Sequence, residues 1–242
     1  MKVWGWPADK GGCAWYRIET PLHTLDDTDD VGMGTVMPNS IMDEPDRLVV
    51  LQRSTHPAAM MVLDEFQQKR RPWVYDADDL LWRLTPDNPA YTHYANPVVA
   101  KRFNWHITNA PLFTVSTSQL ADEVRMEGAH RVAIVPNTIP DDLFDFADQV
   151  SLRPRTDDRL VVFWRGSNTH SEDVKVLRYA AKRLHEREDV RLVFAGADYR
   201  RELGVPDAEL LPWVDSPEAH VRRVIELQPD VVLLMVTMRD VE

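Results

Sequence analysis

The sequence predicts an α/β protein of two Rossmann-like lobes, the second lobe incomplete. Three observations predict it. Short apolar runs alternate with amphipathic stretches along the chain, the pattern of parallel strands joined by helices. The chain opens on a strand, a Gly11-Gly12 turn and a helix, the start of a nucleotide-binding unit. A second strand–turn–helix series begins after an acidic, irregular stretch at 141–158.

The elements follow in order. Val3 to Trp6 is an apolar strand, and Trp15 to Leu25 carries Ile18, Leu22 and Leu25 at helical spacing. Pro21 predicts a late start or a kink in that helix. Asp26 to Asp30 is an acidic surface connection, and the Gly-broken run Val31 to Pro38 is a marginal strand. Arg47 to Leu51 is a buried strand, and Pro57 suits the first turn of the helix that follows. Trp73 to Tyr75 is the next strand. Thr85 to Asn96 reads as a loop, Val98 to Asn109 as a helix and Leu112 to Val115 as a strand. Ser116-x-x-Gln119 has the form of a capping box before a helix that stops at Gly128, and Val132 to Val135 is a strand. In the second series, Leu160 to Trp164 is a strand and Arg165-Gly166-Ser167 its turn. Thr169-x-x-Glu172 caps a helix. Val190 to Ala195 and Leu210 to Val214 are strands, and Ser216-Pro217 opens a helix. The continuous apolar run Val231 to Val236 predicts a central strand covered on both faces. The domains are thus 1–145 and 159–242, with 146–158 as linker.

Composition narrows the function. The 242 residues are 44% hydrophobic, enough for a sizeable core. A net charge of −11 argues against non-specific binding to nucleic acid or an anionic membrane. No run is long enough for a membrane span, and no signal peptide opens the chain, so the expected location is cytoplasmic. One cysteine, Cys13, leaves no internal disulfide and no cysteine-based zinc site. No Gly-x-Gly-x-x-Gly fingerprint or Walker lysine motif occurs.

The stretch Arg71 to Trp82 is the first candidate site. A buried strand delivers Asp76, Asp78 and Asp79 at its end, where ligands of open α/β sheets bind. Three readings stay open: a catalytic cleft wall, a capping turn, and a metal site. Arg165, Gly166 and Ser167 offer a guanidinium and backbone N–H groups to a diphosphate, or form a tight turn. His170 contacts a phosphate or lies on the surface. Gly11 and Gly12 allow close approach of a ligand, or only turn the chain. Arg17 reaches the same cleft, or pairs with Glu19 or a linker acid. Asn137 reads as a linker turn residue and His56 as structural. His93 and His106 have no metal spacing, and Cys13 is incidental.

Four segments together resemble one family. They are Gly11-Gly12 with Tyr16-Arg17 and Pro21; Tyr75-Asp-Ala-Asp-Asp-Leu-Leu-Trp82; Val115-Ser-Thr-Ser118 with Val135-Pro-Asn-Thr-Ile139; and Trp164-Arg-Gly-Ser-x-x-His170-x-x-Asp173. In this order they are similar to the GT-B fold glycosyltransferases, of the GT4-like bacterial and phage type. The resemblance implies transfer of a sugar, hexose-like, from a nucleotide-diphosphate donor held by the C-terminal lobe. The acceptor is a glycan or other hydroxyl compound held by the N-terminal lobe. It also implies catalysis without a cofactor or divalent metal, through positive groups at the leaving diphosphate. The family's donor lobe continues with a Glu-x₇-Glu segment that is absent before Glu242. The expectation is therefore a donor lobe that is truncated, completed by a second chain, or degenerate. The alternative function is a non-catalytic binding or scaffold relative.

Overall fold

The computed structural model describes residues 1–25 and 30–233, without the side chain of Glu172. The acidic connection at 26–29 and the end of the apolar run at 234–236 lie outside the described residues. The chain divides into two compact units, Met1–Leu84 with Thr92–Ile139, and Thr85–Tyr91 with Pro140–Glu242.

The first unit is a parallel sheet of six strands: β1 (Lys2–Trp6), β2 (Asp30–Met33), β3 (Leu48–Gln52), β4 (Trp73–Ala77), β5 (Phe113–Val115) and β6 (Val132–Ile134). Their order is β2-β1-β3-β4-β5-β6. All five residues of β4 are buried, because helices cover both faces. Leu51, Tyr75 and Phe113 pack on one face with Leu63 and Phe66 of the helix Pro57–Gln68 and Phe103 of the helix Pro97–Asn109. Val3 packs on the other face with Ile18 and Leu22. Gly5 allows that approach, since a Cβ there would lie 2.5 Å from Ile18.

The helix after Gly11 begins at Gly12, earlier than Pro21 predicts. It runs as Gly12–Ala14, a π-turn Trp15–Glu19, and Thr20–His23. The Thr20 N–H reaches back to the Trp15 carbonyl. This widened turn accommodates Pro21, which has no N–H to contribute. A second correction concerns the helix Ser118–Met126. Its cap is Thr117, whose Oγ1 accepts from the Leu120 N–H at 3.2 Å, and not Ser116. A third is a short helix, Tyr91–Tyr94, inside the predicted loop.

The second unit is a four-stranded parallel sheet among the described residues: β7 (Leu160–Gly166), β8 (Val190–Gly196), β9 (Glu209–Leu211) and β10 (Val231–Leu233). Their order is β10-β7-β8-β9. β10 pairs only with β7 there, and Val231 and Val232 are each 46% exposed, so it is an edge and not a central strand of the described sheet. Arg165 and Gly166 belong to β7 and not to a turn. Ser167, not Thr169, caps the turn Asn168–His170, and the expected long helix is split into Ser171–Lys175 and Arg178–His185. The stretch expected to be irregular at 141–158 is so only after Gln149. Asp141–Gln149 is a helix with Asp141 and Asp142 in its first turn, where the helix dipole favours negative charge.

Both sheets have a topological switch point. In the first unit the chain moves from β1 to β2 on one side and β3 on the other. In the second, β8 lies on one side of β7 and β10 on the other. Ligands of open α/β sheets bind outside the carboxyl ends of the strands at such points.

Candidate functional site

In the first unit, the carboxyl ends of β1, β3 and β4 bring together residues that are distant in sequence. Arg53 follows β3 with φ of 35°, in the left-handed region that residues other than glycine seldom adopt. Its guanidinium lies 2.6 Å from Asp9 of the loop after β1 and 3.7 Å from Asp79 of the loop after β4. Burial pushes the Asp9 carboxyl up, and the bonds from Arg53 and the Gly11 N–H more than offset this, leaving it below its usual value. The helix start places Cys13 here too. Cys13, Asp78 and Asp79 each offer a ligand atom within 4.8 Å of the others, a set that could hold a cation. Burial, then the neighbouring Asp78, pushes the Cys13 thiol up to about 12. The thiol is therefore protonated at neutral pH, and Arg53 already supplies positive charge to the group.

Asp76 stands apart from Asp78 and Asp79. It is 2% exposed, and its oxygens accept from Arg17 at 2.5 and 3.0 Å and from Thr114 at 2.6 Å. Burial raises its pKa, and these partners hold back only part of the rise. Arg17 is buried as well and also donates to the Val135 carbonyl and to Asn137 at 3.0 Å. Its partner is thus neither Glu19 nor a linker acid. Tyr16 is half-buried with its ring edge-on to Trp15 at 4.7 Å. Gly11 begins the turn, and a Cβ on Gly12 would meet open space.

In the second unit, Arg165 is exposed near the carboxyl end of β7, and its guanidinium lies 5.2 Å from the Trp213 ring centre. Trp213 follows β9 and is 49% exposed. Arg223 donates to the Pro212 carbonyl beside it. His220 is held down to about 4 by burial, then by Arg165 and Arg223, so its imidazole is neutral at pH 7. Gly166 ends β7, and the Ser167 carbonyl accepts from Tyr199 at 3.1 Å. His170 lies 3.1 Å from Asp173. This end of the sheet collects positive charge around an open aromatic face, which suits an anionic ligand carrying a flat ring.

Trp213, His220 and Arg223 gave no signal in the sequence, because no motif links them to Arg165. Cys13 and Asp9 were missed for the same reason, although an Asp two residues before a Gly-Gly turn is a signal for an Asx turn.

No protein-family model matches the sequence, and no curated protein matches it. Solved structures do. Sucrose-phosphate synthase from Thermosynechococcus elongatus superimposes with a TM-score of 0.62 at 12% identity, over 96% of this chain and 75% of that one. The S. aureus MnaA–UDP co-structure gives 0.50 at 12%, over 93% and 72%. The fold is GT-B-like. At this identity the likeness is one of fold alone, with a Rossmann-like parallel sheet in each unit. No helix among the described residues is long and apolar enough to cross a membrane.

Proposed function

We propose that this protein is a glycosyltransferase, moving a sugar from a nucleotide-diphosphate donor to an acceptor hydroxyl. The observation that carries the reading is the group at the carboxyl end of β7: Arg165 stacked on exposed Trp213, with Arg223 and neutral His220 beside them. A diphosphate there would meet two guanidinium groups, and Trp213 would offer a face to the base. The same groups would stabilise the charge that grows on the diphosphate as it leaves. Arg165, Gly166, Ser167 and His170 are then donor-side residues. The three carboxylates take different parts. Asp78 and Asp79 border the acceptor, while Asp76 with Arg17 holds the strand end that presents them. Gly11, Gly12 and Tyr16 line the same side.

The MnaA structure holds UDP, so UDP is the first probe. Calorimetry should show UDP binding that Arg165→Ala weakens by about tenfold or more, the cost of one charge-assisted contact. UDP that fails to bind at millimolar concentration, or binds Arg165→Ala as well as the parent, refutes the donor site. A non-catalytic relative that lost its donor half would stay folded and bind no UDP.

A further inference from the structure

The second unit carries two exposed helix faces of matched pattern and opposite charge. On the helix Asp141–Gln149, Leu143 is buried, and Val150 just after it is buried as well. Asp141, Phe144, Asp145 and Asp148 share the opposite, solvent-facing side at helical spacing. Phe144 is 57% exposed, and those aspartates have no ion pair among the described residues. On the helix Arg178–His185, Ala181 is buried, and Arg178, Tyr179, Lys182 and Arg183 share the exposed side. Tyr179 is 73% exposed. Arg183 donates to its hydroxyl at 3.1 Å, and Arg178 and Lys182 have no ion pair among the described residues.

Each face thus sets an exposed aromatic ring among like charges one helical turn apart. Like charges at that spacing repel one another, and a partner of opposite charge relieves the repulsion. An exposed ring rimmed by charge also has the make-up of a contact surface, an apolar centre inside a polar border.

The two helices lie on opposite sides of their sheet. Ala181 packs with Val162 and Trp164 of β7, whereas Leu227 of the helix Pro217–Leu227 packs with Val161 and Phe163. Alternate residues of a strand point to opposite faces. The helix Asp141–Gln149 packs on the helix Pro217–Leu227, where the Arg222 guanidinium lies 5.1 Å from the Phe146 ring centre. One copy therefore cannot close its acidic face on its own basic face, but two copies can.

We propose that the partner of the basic face at Arg178–Arg183 is the acidic face at Asp141–Asp148 of a second copy of this chain. Tyr179 and Phe144 supply the apolar centre of the contact, and the charges around them pair at its rim. The contact uses different surfaces on the two copies, so each keeps one unused face, and association continues into open chains or a closed ring. Charges exposed to water make such a contact salt-sensitive.

Sedimentation velocity of the whole chain tests this. Between about 10 and 300 μM in about 50 mM salt, the weight-average sedimentation coefficient should rise by about half or more, and about 0.5 M salt should return it to the monomer's value. Arg178→Glu with Lys182→Glu should leave a monomer at every concentration, and so should Asp145→Lys with Asp148→Lys. All four positions are exposed. The new acid at the start of one helix and the new bases at the end of the other suit the helix dipole, and circular dichroism checks the fold. The four changes together exchange the signs of the two faces, and that variant should associate again with itself. A parent that stays monomeric overturns the proposal, as does association that survives either pair of reversals, or a fourfold variant that stays monomeric. A monomeric parent that binds phosphatidylserine vesicles or duplex DNA through Arg178 and Lys182 overturns it in favour of a lipid surface or a nucleic acid.

Discussion

Asp76 is buried with Arg17 and Thr114 taking its oxygens, so its charge depends on Arg17. Arg17→Ala would strand that carboxylate, at a cost of about 3–5 kcal/mol. The pair is replaceable as a unit. Arg17→Met with Asp76→Leu should recover much of the loss, because the double change leaves no unpaired charge. Chemical denaturation of the two single variants and the double variant measures this, and equal losses in all three would contradict it. His106 supplies a different prediction. It is fully buried, stacked on Tyr75 at 4.6 Å, and neither ring nitrogen has a partner. Burial lowers its pKa from 6.5 to about 3. A proton therefore binds the unfolded chain first as pH falls. The stability is fully present above pH 6.5 and is lost progressively toward pH 3, reaching on the order of 3 kcal/mol by about pH 4. The comparison is with His106→Phe, which keeps the ring and cannot titrate. A parent and variant with the same acid dependence of denaturation would sink the assignment.

Strand ends decide how each unit is built. Gly196 closes β8 with φ of 96°, and a Cβ there would lie 2.4 Å from the Gly166 carbonyl oxygen. That oxygen also accepts from the Ala197 N–H at 2.9 Å, so the contact is with backbone and cannot swing aside. Gly196→Ala should cost roughly 1–3 kcal/mol and should also displace Trp213, whose ring a Cβ would meet at 3.0 Å. Its signature is a loss of UDP affinity in protein that remains folded; unchanged affinity and stability would disprove the crowding. Elements such as β3, β4 and β8 were legible in the sequence because buried parallel strands read as apolar runs. The helix Asp141–Gln149 was not, since its acidic residues mask an apolar stripe of Leu143, buried at 9% exposure, and Phe146, which meets Arg222. The cap at Ser167 was hidden as well, because two candidate caps, Ser167 and Thr169, lie two residues apart.

At the scale of the molecule, repeated strand and helix order made the α/β class and the two sheets readable from sequence. The site was readable only where its residues share one strand end, as Asp78 with Asp79 or Arg165 with Gly166. Cys13 with Asp78, and Arg165 with Trp213, meet only after the sheets assemble, and no local pattern records such pairs. The same division governs the role of metal. Enzymes that hold a diphosphate through a divalent ion need carboxylates beside it. In the second unit the described neighbours of Arg165 include Trp213, His220 and Arg223, and the two guanidinium groups oppose a divalent cation there. The overall charge of −11 adds no local help to an anionic donor, so binding depends on those few guanidinium groups. EDTA should then leave UDP affinity unchanged within about twofold, while about 1 M salt should weaken it markedly by screening the exposed Arg165. Calorimetry with chelator and with salt separates the cases. Binding that EDTA abolishes and manganese restores would overturn the guanidinium reading and move attention to Cys13, Asp78 and Asp79, which are the described residues grouped closely enough to hold an ion.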